Sequence, residues 1–358
     1  MDSRDLKKRS CLAISRRAAL LGSVATGLSL ILAGWTKSRR LPFGTSVDAM
    51  KPGDYTWAPE RGPLGPIIMI VSLPEQRVHV YRSGVLIAVA TCSTGRQGHR
   101  TPTGVFTILQ KDKDHVSSTY KGAAMPYMER LTWSGIALHA GNLPGYPASH
   151  GCIRLPYDFS QLLFGITHLG GVVVLADEYH EPLEVVHPGM LLPVHAEDEA
   201  RAVVAKAVAR KLPPQRRDDS GHRPAKVLVS IADKAITLFE DGHVRAVGKI
   251  TVKDPGRPIG NHTLVLKAAH DSRHSLVWVA TSYRTGTSNG QLPRSEAAVL
   301  DRITTDRITA EALHSLMHPG LVMVVTDDPA PPASRSERNF VIATHHEPEG
   351  WTTRVFRN

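Results

Sequence analysis

The sequence predicts a mainly β chain of α+β class: small mixed sheets with one helix over a turn, laid down twice in succession. Three observations predict it. Short apolar runs rich in Val and Ile recur between residues 67 and 177, each bounded by Gly, Pro or polar residues, and runs of that length and composition form strands. One segment in that region, Tyr157 to Ile166, has helical length and spacing. From Val229 onward the same order of runs returns, and a repeat of this kind has to be recognised before the fold is assigned.

Residues 1–40 read as an export signal or membrane anchor. Lys7, Lys8, Arg9, Arg16 and Arg17 precede an apolar run from Ala18 to Gly34, which is the charged-then-apolar order of an exported chain. Ser15-Arg16-Arg17 resembles a twin-arginine signal. If the run is retained, it barely spans a bilayer and anchors the chain in the inner membrane; no convincing small-x-small cleavage site follows it directly, and Val47-Asp48-Ala49 is a distant candidate. Residues 41–66 are a Pro/Gly-rich lead, and a first domain follows at 67–178.

In that domain "IIMIVSLPEQRVHVYRSGVLIAVATCST" divides into three strands at Leu73–Gln76 and at Arg82–Gly84. A polar Gly/Pro loop leads to a fourth strand, Val105 to Leu109, and the polar stretch 110–130 reads as a lid. "SGIALHA" is a strand with Ile136 and Leu138 on one face and Ala137 and His139 on the other. After Tyr157–Ile166, "GGVVVLAD" is a fully apolar strand. Residues 179–225 hold a helix over 197–212, with acids first and bases last as the helix dipole favours, and then a Pro/Arg-rich linker.

Residues 226–328 repeat the first domain. Val71 aligns with Val229, Gly104 with Gly260 and Asp177 with Asp327. At the last offset, Cys152 falls on Arg302, Gly151 on Asp301 and His150 on Leu300, while the best match to His139 is Val279. The second copy keeps the strand pattern and loses the reactive groups, so it is expected to be non-catalytic, packing on the first or binding glycan strands. Residues 329–358 form a tail with one strand-like patch, Phe340 to Ala343.

A formal charge of +10 suits polyanionic surroundings. The positives are scattered and aromatics make up only 6%, so no nucleic-acid surface is expected. Of three cysteines, Cys11 lies in the signal, leaving Cys92 and Cys152; in an oxidising compartment these could pair. Cys152 sits in "HAGNLPGYPASHGCIRLP". A thiol nucleophile needs a base within reach, and both His139 and His150 are candidates that spacing does not separate. Gly151 lets the backbone turn so that N–H groups can meet an oxyanion, and Arg154 can grip a carboxylate.

"SHGCIRLP" with the upstream "IALHA", "STGRQGHRTPTGVFTI" and "MPYMERL" resembles the catalytic domain of the L,D-transpeptidases of bacterial cell-wall synthesis, over residues 67–177. The resemblance implies a mixed-sheet β-sandwich. It makes Cys152 the nucleophile and His139 the general base, oriented by the Ala140 carbonyl, with His150, Gly151 and Cys152 lending oxyanion-hole amides. Ser149, Arg154 and Tyr127 join Ala140 as expected substrate-side contacts. The substrates would be peptidoglycan tetrapeptide stems, joined through a thioester to a second stem or to an envelope lipoprotein, in the periplasm or cell envelope. Carbapenems would be covalent inhibitors, and no cofactor or metal is implied. Only nine residues separate His139 from Ser149, fewer than in many relatives, which bears on the loop's geometry. With water as acceptor the same site would be an L,D-carboxypeptidase. A non-enzymatic peptidoglycan-binding protein with Cys92 and Cys152 bridged, and a zinc site of His139, His150 and Cys152, are the other readings; the last lacks paired spacing and a fourth ligand.

Overall fold

A computed structural model describes residues 36–62, 64–118, 120, 122–187, 192–193, 225–240, 243–270, 275–284, 297–330 and 342–343. The apolar run 18–34, the helix expected over 197–212, the linker after it and most of the C-terminal tail lie outside the described residues.

The chain begins with β1 (Arg39–Leu41) and β2 (Asp54–Trp57), then β3 (Ile67–Ser72), β4 (Arg77–Arg82), β5 (Val85–Thr91) and β6 (Gly104–Thr107). β7 (Gln110–Val116), β8 (Ala124–Arg130), β9 (Ala137–Ala140) and β10 (Ile153–Leu155) follow, then helix α1 (Tyr157–Ile166) and β11 (Val172–Ala176). Further on come β12 (Glu178–Tyr179), β13 (Leu183–His187), β14 (Leu192–Pro193), β15 (Ala225–Ser230), β16 (Ala235–Glu240), β17 (His243–Val252), β18 (Asn261–His270) and β19 (Ser275–Arg284). Helix α2 (Ala297–Asp301), β20 (Ile303–Thr305), helix α3 (Arg307–Ser315), β21 (Val322–Thr326) and β22 (Ile342–Ala343) complete the order.

Two expectations change. The Pro/Gly-rich lead is not a loose approach: β1 and β2 join the first sheet, ordered β1-β2-β5-β4-β3-β11-β6-β22. Arg39 holds Asp54 with two bonds of 2.7 and 2.6 Å, and Arg77 donates to the carbonyls of Val47 and Met50 around the short 3-10 turn Val47–Ala49. The polar stretch 110–130 is a β-hairpin and not a loop. β7 and β8 pair antiparallel in a second sheet, ordered β10-β9-β8-β7. None of the residues of its outer strand is buried, so it carries polar residues and gives no apolar signal.

β3 and β11 are buried on both faces, which is why both are unbroken apolar runs. Met69, Val71, Val173 and Leu175 face a core closed by Leu138, Ile153, Phe159 and Leu163 of the small sheet and α1. Ile68, Ile70, Val172 and Val174 face the other way, onto Leu228, Phe239, Val265, Val322 and Val324 of the third sheet. That sheet runs β12-β19-β18-β21-β15-β16-β17-β20-β14 and has its own core against α2 and α3.

The first and third sheets share one plan. β3 is antiparallel to β4 and parallel to β11, which is antiparallel to β6; β15 stands likewise to β16 and β21, and β21 to β18. The parallel registers coincide with the sequence alignment, Val71 facing Leu175 as Val229 faces Val325. The next strand does not. Leu175 faces Gly104, but Val325 faces His262, two positions beyond the aligned Gly260.

Candidate active site

The four-stranded sheet places the reactive residues. β9 and β10 are parallel, with Ile153 beside Leu138 and Arg154 beside His139. Leu138 and Ile153 enter the core; by alternation Cys152, Arg154, Ala137 and His139 take the opposite face. Cys152 packs there against Ala137, Met125 and Met128, diagonally across from His139. A chain that alternates in this way, with one histidine at a strand end and the thiol just before the neighbouring strand, brings both groups to one spot.

His139 is buried, and its Nδ1 lies 2.8 Å from the Ala140 carbonyl. A carbonyl can only accept, so Nδ1 carries the proton and Nε2 the lone pair. Burial holds this imidazole down to about 4, against the pull of the Ala140 bond, so it is neutral at physiological pH. Burial also raises the Cys152 thiol, while the Ala137 amide, Arg154 and Arg130 work in the other direction. The thiol donates to the Gly135 carbonyl at 3.3 Å. The resting pair is therefore thiol and neutral imidazole; the sulfur is not held ionised, because desolvation outweighs the nearby cations.

His150 lies in other company. Arg96 Nη2 is 2.9 Å from its Nε2, and the rings of His99 and Tyr120 stand 4.8 and 4.6 Å away. An arginine only donates, so this nitrogen's lone pair is taken. Of the two histidines that spacing left open, His139 keeps its accepting nitrogen. Gly151 has φ +111°, a conformation that favours glycine. Its N–H donates to Ser149 Oγ at 3.0 Å, while Ser149 Oγ donates to the Cys152 carbonyl at 2.6 Å. The Gly151 amide expected at an oxyanion is thus engaged at rest by a hydroxyl two residues back.

Arg154 is half-buried, and its stem passes where a side chain at position 141 would stand: a Cβ on Gly141 would meet Arg154 Cγ at 2.9 Å. Tyr127, expected on the substrate side, faces the helix instead. It is buried against Tyr157 and Phe164, with ring centroids 5.4 and 5.8 Å away. It shares that side of β8 with Glu129, which takes a bond from Thr167 just beyond α1; Met128 points the other way, toward the sulfur.

Several supporting residues were not singled out in the sequence, although Ser93, Thr101 and Arg130 lie within segments that carry the resemblance. Thr101 Oγ1 donates to the Gly151 carbonyl at 2.8 Å and accepts from Gly95 N–H, also at 2.8 Å. Ser93 and Arg154 exchange backbone bonds of 3.0 Å. Thr36 binds Asn142 and Leu143 in the loop between base and nucleophile. Only Arg130 among the missed residues carries charge toward the sulfur. A cleft of about 610 Å³ opens behind the 94–103 loop, lined by Thr94, Arg100, Thr101 and Pro147 among others, and Cys152 does not line it. Cys92 and Cys152 are both free thiols, so the bridge considered from the sequence is not formed. Among the described residues no cluster of His, Cys, Asp and Glu is placed to hold a metal.

Arg302, onto which the sequence alignment lays Cys152, stands just before β20 in the third sheet. Its guanidinium is bound to the carbonyls of Lys253, Asp254, Arg257 and Pro258, so it closes a turn.

Residues 66–175 match the family described as the L,D-transpeptidase catalytic domain (YkuD). A probable L,D-transpeptidase 3 of Mycobacterium tuberculosis is 28% identical over 134 residues, covering 33% of this chain and 46% of that protein. The chain thus spans about half the length of that curated relative. Among solved structures, an L,D-transpeptidase of Stackebrandtia nassauensis is 24% identical, over 37% of this chain and 60% of its own, with a TM-score of 0.30. L,D-transpeptidase 3 of Mycobacterium tuberculosis, solved with a faropenem-derived adduct, is 22% identical over 30% of this chain and 59% of its own, with a TM-score of 0.29. Residues 66–175 therefore form a domain of the L,D-transpeptidase catalytic family.

Proposed function

We propose that the protein is an exported cysteine acyltransferase that acts on peptidoglycan stem peptides. One observation carries the reading: Cys152 and a neutral, carbonyl-oriented His139 emerge on the same face of adjacent parallel strands, inside the domain that matches the family. His139 Nε2 takes the thiol proton as the sulfur attacks the carbonyl of the third stem residue. The S–C bond forms, the C–N bond breaks, and the proton passes to the departing D-alanine amine. An amine of a second stem, or of an envelope lipoprotein, then attacks the thioester and the thiolate recovers its proton. Main-chain N–H groups at 150–152 stabilise the tetrahedral oxyanion, the Gly151 amide leaving Ser149 Oγ to do so. Arg154 faces a carboxylate of the substrate. The first sheet supports this site; the third sheet, with Arg302 closing a turn where the sequence alignment lays Cys152, is a non-catalytic companion.

The test is intact-mass measurement of the reduced, folded protein after a carbapenem, the inhibitor class expected from the resemblance. One adduct should form, on Cys152, and Cys152→Ala should take none and turn over no stem peptide. Turnover by Cys152→Ala would overturn the assignment. Product analysis with tetrapeptide stems separates cross-linked dimers, from an amine acceptor, from tripeptides, from water.

A further inference from the structure

We propose that Arg130 is a second carboxylate-binding residue of the donor site, set across the strands from the sulfur as Arg154 is set along them. The inference rests on the acyl-transfer reading and names a feature its substrate must have. Arg130 pairs with Ala137 across β8 and β9, and Cys152, one position before the Ile153–Leu138 pair, stands on the far side of Ala137. Arg130, Ala137 and Cys152 thus make one row on one sheet face. The adjacent row, Glu129, Leu138 and Ile153, turns to the interior. Neighbouring strands are about 4.8 Å apart, so Arg130 and Cys152 are separated by roughly 10 Å at the backbone. Ala137 is the residue between them in that row, with Met125 and Met128 packed beside the sulfur.

That guanidinium is held in place by Gln110, His115 and Trp133. Nε donates to Gln110 Oε1 at 2.8 Å, Nη2 stands 3.5 Å from His115 Nε2, and Cζ lies 5.8 Å from the Trp133 ring centroid. Neither Arg130 nor Arg154 has a carboxylate within ion-pair distance among the described residues. Asp112 lies beyond Met128 on that face and acts on Arg130 without forming an ion pair, so neither half-buried guanidinium has an anion in direct contact to offset its desolvation. A planar fork fixed at its Nε leaves its outer edge to grip a carboxylate. The substrate class is therefore an acyl-donor peptide carrying a carboxylate on either side of the carbonyl that the sulfur attacks, one for each arginine.

The experiment alkylates the full chain with iodoacetate and with iodoacetamide, reagents alike in size and differing in charge, and follows the adduct on Cys152 by peptide mass. Arg130→Gln should lower the iodoacetate-to-iodoacetamide rate ratio about fivefold, as expected for one charge removed at this range. It should raise KM for a tetrapeptide donor more than it lowers kcat. Arg130→Lys should keep most of the ratio, and equal melting temperatures exclude misfolding. An unchanged ratio, or both reagents slowed equally, would overturn the proposal while leaving Cys152 a nucleophile. A wild-type Cys152 inert to both reagents would overturn the acyl-transfer reading and this one with it.

Discussion

Cys152 is held as a thiol by burial and by the Gly135 carbonyl, and His139 stays neutral because burial depresses it to about 4. A depressed imidazole is charged only when pH falls through its folded value, so no thiolate–imidazolium pair stands ready at neutral pH. Iodoacetamide modification of Cys152 should therefore rise steadily from pH 6 to 9, about tenfold per unit while the thiol is mostly protonated. A fast, flat rate from pH 5 to 8 would show a preformed ion pair. At this scale much was legible in the sequence. His139 and Cys152 could be named because strand alternation and a glycine-rich turn leave a local pattern. Arg130 lies in the segment MPYMERL that carries the resemblance, but only the register of three strands places it in the row of the sulfur. The engagement of His150 with Arg96 depends on a loop fold that no local pattern records.

At the scale of elements, the β7–β8 hairpin is fastened to α1 by a buried pair. Lys111 Nζ donates to the carbonyls of Phe164 and Thr167, capping the helix end, and stands 3.8 Å from Glu129. Burial pushes the Glu129 carboxyl up to about 7, against the bond from Thr167 and the charge of Lys111. A raised carboxyl contributes stability that is present below its unfolded value and is lost as pH rises through the folded one. Glu129→Gln should therefore be more stable than wild type at pH 8, by about 2 kcal/mol, with the gain gone at pH 5. Thermal melts across that range check it, and a pH-independent difference would refute it. The hairpin itself was read as a lid loop because its outer strand is polar, whereas α1 was read with its observed ends because Pro156 and the apolar spacing mark them.

Across the whole molecule, the first and third sheets meet through Ile68, Ile70, Val172 and Val174 on one side and Leu228, Val322 and Val324 on the other. The strand order that the two sheets share was visible in the sequence because both need the same alternation on the same strands; the two-residue offset at β18 was not, since an even shift keeps every side chain on its face. Lys226 is buried beside this contact, 2.9 Å from Thr107 Oγ1, and burial lowers its amine to about 8. A depressed amine costs stability as pH falls through that value. Lys226→Met should raise the melting temperature at pH 7 by several degrees, and the gain should shrink toward pH 10; a constant gain would mean that packing, not charge, sets it. The turn Val47–Ala49 carries one more consequence. Arg77 donates to the carbonyl of Val47 in it and of Met50 just after it, and β1 before it is laid into the sheet. A cut after Ala49, the site read from the sequence, would carry β1 away with it and leave β2 as the edge of the sheet, whereas a cut ahead of Arg39 would leave that sheet whole.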